Sequence, residues 1–97
     1  MAIQSFADKE TEKFYKAGRI SKTTGWQSLV KIAARKLDIL DYAVNLDDLK
    51  SPPGNKPEKL KGDLRGMHSI RINDQWHIVF RWTDGGPADV QIVDYHK

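Results

Sequence analysis

Residues 69–82 read SIRINDQWHIVFRW. Apolar and other side chains alternate here, which is the period of an extended chain whose successive residues face opposite sides of a sheet. Ile70 and Ile72 share one side and Arg71 takes the other. Beyond Asn73-Asp74, a turn pair, Trp76, Ile78, Phe80 and Trp82 share a face while Gln75, His77, Val79 and Arg81 take the opposite one. Two alternating runs joined by a turn predict an antiparallel pair of strands. A second turn at Asp84-Gly85-Gly86-Pro87 leads into ADVQIVDY (88–95), a third strand that extends the pair into a meander.

A sheet face carrying Ile70, Ile72, Trp76, Ile78, Phe80 and Trp82 must be covered, and the N-terminal half supplies the cover. IQSF (3–6) suits a short first strand, and Ser5 with Asp8 resembles a capping box that starts a helix near Ser5 to Asp8. Ala7, Thr11, Phe14 and Tyr15 line one side of that helix, and Gly18 is placed to close it. Thr24 with Gln27 predicts the cap of a second helix running to about Tyr42 and burying Trp26, Leu29, Val30, Ala33, Leu37 and Leu40. The fold class expected is α+β: two N-terminal helices on one face of a twisted, mainly antiparallel sheet, in a single domain over residues 1–97.

Between helices and sheet, LDDLKSPPGNKPEKLKGD (46–63) contains prolines and Gly54-Asn55, which propagate neither a helix nor a central strand. This connection is basic. The chain's formal net charge is +3, yet residues 50–71 alone hold Lys50, Lys56, Lys59, Lys61, Arg65 and Arg71 against Glu58 and Asp63. Such clustering fits either a solvated loop or a patch that contacts phosphate. The absence of cysteine removes disulfides and thiolate metal sites and gives an intracellular, cytoplasmic expectation. No apolar run reaches the roughly 20 residues of a membrane span, so no membrane partner is expected.

Arg71, His77 and Arg81 put nitrogen-bearing side chains on the sheet's second face, and the chain closes with VDYHK (93–97). Separately, these features fit a wet sheet face and a polar tail. Together with the adjoining basic loop they outline a candidate site. His68, His77 and His96 lack a short ligand spacing, and no metal or cofactor is expected.

The sequence resembles a known family. An N-terminal IxSF, two helices, a PPGN loop, LKGDxxGxxSIRINDQWxIxFRW and a closing VxxVDYH are similar to the HigB branch of the RelE/ParE toxin superfamily. The resemblance implies a fold like that of microbial ribonucleases and the toxin of a type II toxin-antitoxin module. It implies cleavage of mRNA in the ribosomal A site, and inhibition by a HigA-type antitoxin with a helix-turn-helix domain, through which alone operator DNA is reached. By the same resemblance Lys61 matches a lysine implicated in catalysis, and Asp94, Tyr95 and His96 match the family's C-terminal acid, aromatic and imidazole. Two positions depart: Glu58 stands where some members carry a catalytic histidine, and His77 where arginine is usual.

Cleavage by a neighbouring 2′-hydroxyl needs a base for its proton, cations for the charged phosphorane and an acid for the leaving 5′-oxygen. Histidine titrates near neutrality, which makes His77 and His96 candidates for proton transfer, with Glu58 an alternative base. Lys61, Arg71 and Arg81 are candidates for charge stabilisation, Lys56, Lys59, Arg65, Arg71 and Arg81 for RNA or ribosome binding, and Tyr95 for base stacking. Asp94 either orients a histidine or pairs with a lysine. Two other functions fit the same residues: a ParE-like inhibitor of DNA gyrase, which needs no terminal histidine, and a non-catalytic RNA-binding regulator.

Overall fold

Helix α1 (Lys9–Ala17) and helix α2 (Val30–Tyr42) precede strands β1 (Glu58–Lys59), β2 (His68–Arg71), β3 (His77–Thr83) and β4 (Gly86–Val93). The computed structural model describes residues 2–94. The strands form one sheet in the order β1-β2-β3-β4, antiparallel throughout. The expected meander is β2-β3-β4, and β1 is a further two-residue edge strand inside the Pro-rich connection, too short to show any period.

Asp8, not Ser5, caps α1: its carboxylate accepts from the Thr11 amide at 3.3 Å, and Gly18 closes the helix at φ 69°. Ser5 instead accepts from the Asp89 amide with its hydroxyl at 2.9 Å. The expected first strand is a single parallel bridge, Phe6 to Val90, flanked by Gln4 N–H to Pro87 O at 2.7 Å and Ala7 N–H to Val90 O at 2.9 Å. Further along β4 the Ile92 amide donates to the buried Thr11 hydroxyl at 3.1 Å. The N-terminal segment and α1 therefore satisfy the free edge of β4, a row of groups that would otherwise invite another chain.

The second helix begins later than Thr24 suggests. Thr24 is buried, its hydroxyl accepting from the Ser21 amide at 3.2 Å, and a 3-10 turn over Gln27–Leu29 leads into α2. Trp26 packs edge-on against Phe14 with ring centroids 5.0 Å apart. Gly25 must lack a side chain, because a Cβ there would stand 2.7 Å from the Trp76 ring.

Ala33, Leu37 and Leu40 of α2 are fully buried with Ile70, Ile78, Phe80 and Val90 of the sheet. Each large apolar side chain so removed from water contributes about 1.5–3 kcal/mol. Tyr15 ties the helices together: burial, then the charges of Asp41 and Asp38, push its phenol well above the ordinary tyrosine range. Asp41 also accepts from the Ile3 amide at 2.8 Å.

On the core side of β2, His68 stacks on Phe80 with centroids 5.8 Å apart. Burial first, and the Lys59 charge second, lower its pKa. Folding thus favours neutral His68, so the stability it contributes is present above its unfolded pKa of about 6.5 and is lost as pH falls through the lower folded value. Between about pH 7.5 and 5 the melting temperature should fall less for His68→Gln than for the unaltered protein. Equal pH slopes in parallel thermal melts would contradict this assignment.

Candidate functional site

Strand register decides which candidates meet. Glu58, Ser69, Val79 and Gln91 lie across from one another in one row of the sheet, and Arg71, His77 and Val93 in another. Both rows lie on the face away from the row Ile70, Ile78, Ile92, which packs into the core. On this outward face Lys56, Glu58, Arg71, Asp74 and His77 line a cavity of about 220 Å³. That is below the roughly 300–1,000 Å³ of clefts that engulf drug-sized ligands, and it suits a phosphoryl group on an extended strand. A larger hollow of about 530 Å³ beside α1, lined by Lys9, Lys13, Arg19 and Ile20 among others, holds none of the candidates.

Each lining residue arrives by a different route. Lys56 follows the 3-10 turn Pro53–Asn55 in a left-handed conformation, φ 40°, and Glu58 begins β1 two residues on. Arg71 ends β2 directly across from His77, the first residue of β3. The intervening turn is held by Asn73, whose side-chain oxygen accepts from the Gln75 amide at 2.9 Å and the Trp76 amide at 2.7 Å. This turn projects Asp74, which is almost fully exposed and pairs with the Arg71 guanidinium. Two cations thus face two carboxylates around the cavity. An entering phosphate would replace Asp74 as a partner of Arg71, which can grip it with two donors.

Two expectations about the polar face are corrected. His77 is 7% exposed and sits at the cavity's floor, whereas strand parity put it on an open surface beside Arg81. Arg81 lies four residues along β3, about 13 Å away at the rise of an extended strand, and does not line the cavity. It pairs with Asp89 at 3.0 Å. Beside this ion pair the β3–β4 register shifts between Val79 and Arg81, a β-bulge that leaves an extra residue on β4 near Asp89, which adopts φ 53°. Val79, also placed on the wet face by parity, is fully buried.

The basic patch divides in the same way. Lys59 shares the row of His68 and Phe80 and lines a groove on the other face with Lys50 and Pro57. Lys61 is exposed at the start of the 3-10 turn Gly62–Leu64, with exposed Arg65 closing that turn, and neither lines the cavity. Half-buried Asp94 accepts from the Gln75 side-chain amide at 2.9 Å. Tyr95 and His96 lie outside the described residues. Glu58, expected only as an alternative base, and Asp74, expected only as a turn residue, are the additions. Their signal in the sequence was faint: a lone acid in a basic run and a polar residue in a turn.

The chain as a whole is similar to proteins of a known family. Residues 4–96 match the family model of the RelE-like toxin of type II toxin-antitoxin system HigB. Toxin HigB-1 of Vibrio cholerae serotype O1 is 40% identical over 97 residues, covering 100% of this chain and 99% of its own. An uncharacterized Haemophilus influenzae protein is 34% identical over 81 residues, 84% of this chain and 79% of its own. Among solved structures, the YoeB dimer of Staphylococcus aureus aligns over 100% of this chain and 98% of its own with a TM-score of 0.56 at 24% identity. The heterotetrameric YoeB-YefM complex from the same organism gives 0.56 at 23% identity with both chains fully covered.

Proposed function

Because the chain belongs to the RelE-like HigB toxins of type II toxin-antitoxin systems, we propose that it is a ribosome-dependent endoribonuclease that cuts mRNA in the ribosomal A site. The observation that carries the reading is the outward cavity, where the carboxylate of Glu58 lies with two cations, Lys56 and Arg71, and with the exposed Asp74 at the rim. Glu58 takes the proton of the 2′-hydroxyl. The 2′-oxygen then bonds to phosphorus while Lys56 and Arg71 stabilise the added charge. As the bond from phosphorus to the 5′-oxygen breaks, His96 supplies the proton to that oxygen, leaving a 2′,3′-cyclic phosphate and a 5′-hydroxyl. Tyr95 stacks on a displaced base, Asp94 orients a histidine for proton transfer, and His77 shapes the floor on which the phosphate rests. No cofactor is needed, since the side chains supply base, acid and positive charge.

Lys61, Arg65 and, on the far face, Lys59 act at longer range on ribosomal RNA. Their contribution is that of phosphate neutralisation, so ribosome association should weaken steeply with salt. Lys61→Ala combined with Arg65→Ala should lower the logarithmic salt slope by about 2, read by ribosome cosedimentation from about 50 to 200 mM salt. A slope unchanged by both substitutions would count against the assignment.

The partner in this reading is a HigA-type helix-turn-helix antitoxin, with operator DNA bound only through it. The fold shared with a toxin solved in the YoeB-YefM complex supports an antitoxin partner. No helix among the described residues is long and apolar enough to cross a membrane. The function is tested by adding the purified chain to translating ribosomes, to free mRNA, and to DNA gyrase with supercoiled DNA. Cut mRNA on ribosomes alone is the expected outcome. Inhibited gyrase with intact mRNA would establish the ParE-like alternative, and ribosome binding without cleavage a non-catalytic regulator.

A further inference from the structure

Lys36 is a charged residue in the middle of α2, yet it is only 9% exposed. Its ammonium donates to the side-chain oxygen of Asn55, which is fully buried. The Asn55 side-chain amide donates in turn to the Leu49 carbonyl at 3.1 Å and the Ser51 carbonyl at 3.2 Å, and its backbone amide to Pro52 O at 2.9 Å. Both ends of the Asn55 amide are thus used, and they join α2, the turn Leu46–Lys50 and the turn Pro53–Asn55.

The next residue is Lys56, held at φ 40° and ψ 61°, a conformation that a side-chain-bearing residue keeps only when its surroundings impose it. One residue further lies Pro57, and then Glu58 is paired with Ser69 in the sheet. Lys56 is therefore clamped between an anchored asparagine on one side and a strand on the other. Burying an ammonium is unfavourable, and burial together with the Arg35 charge pulls Lys36 below the ordinary lysine range. An apolar residue would fill the same helix position without that cost. What it would lack is a donor for Asn55.

We infer that Lys36 and Asn55 are a positioning pair, which sets the backbone entering the cavity so that Lys56 meets the substrate phosphate. The inference rests on the ribonuclease reading for its consequence in catalysis, but not for the pinning itself. Lys36→Met keeps the stem and removes the donor. It should lower single-turnover cleavage of ribosome-bound mRNA about 10- to 100-fold, the effect of a small displacement of a catalytic group. Lys36→Arg, which keeps a donor, should recover most of that loss.

A double-mutant cycle with Lys56→Ala, backed by hydrogen exchange, separates positioning from a structural role. In the Lys56→Ala background, Lys36→Met should cost no more than about twofold, because residues acting as one unit are not additive. Independent, multiplied losses would overturn the inference. Amide exchange at Asn55 and Lys56 should speed up in Lys36→Met while α2 and β3 stay protected, and unchanged exchange would overturn it as well. If the unaltered protein cuts no mRNA, the ribonuclease reading fails, and the exchange measurement still decides whether Lys36 pins the loop.

Discussion

Arg71→Ala is expected to lower single-turnover cleavage of ribosome-bound mRNA by about 10²- to 10³-fold, the cost of removing one donor aimed at developing charge. Arg71 ends β2 across from His77, with Lys56 and Glu58 lining the same cavity. Among the described residues its guanidinium pairs with the exposed Asp74, a partner that a phosphate can displace. The side chain lies on the outward face, so the substitution should leave the core and the melting temperature nearly unchanged. Arg71→Lys should recover part of the rate, since an ammonium restores charge but not the two-donor grip. Retention of more than a tenth of the rate in a folded Arg71→Ala protein would remove Arg71 from the proposed machinery.

His96→Ala is expected to reduce cleavage by about 10²- to 10⁴-fold, the range of a general acid. Glu58 can take a proton, Lys56 and Arg71 can stabilise charge, and His77, the one histidine at the cavity among the described residues, is buried at its floor. The leaving 5′-oxygen still requires a proton, and the terminal VDYH motif supplies an imidazole. An RNA whose leaving 5′-oxygen is replaced by sulfur tests the assignment, because a thiolate departs without prior protonation. That substrate should restore most of the rate to His96→Ala and none to Glu58→Gln. Rescue of Glu58→Gln alone would exchange the two roles.

The alternation in SIRINDQWHIVFRW located β2 and β3 correctly, and the buried row of Ile70, Ile78 and Ile92 follows from it. The spacing of Ala33, Leu37 and Leu40 gave α2 its core-facing side. What escaped had physical reasons. One extra residue on β4 near Asp89 shifts the β3–β4 register beside the Arg81–Asp89 ion pair, and a bulge leaves no mark in a hydrophobic pattern. Strand β1 has two residues and hence no period to detect. Lys56 and Lys59 are neighbours in sequence but serve opposite faces of the sheet, so clustered charge did not mean one patch in space. Lys36 was hidden by its type: positions 33, 36, 37 and 40 share a helix face, and a lysine there reads as solvent-facing until a buried partner is found.

Attack by the 2′-hydroxyl on mRNA in the A site leaves its signature in the chemistry of the cut ends. Ribosomes carrying a defined mRNA, with a known codon in the A site, are incubated with the purified protein in excess, and both fragments are analysed by mass. Cleavage within the A-site codon is expected, with a 2′,3′-cyclic phosphate on the upstream fragment and a 5′-hydroxyl on the downstream one. A 5′-phosphate on the downstream fragment, or mRNA left intact, would contradict it.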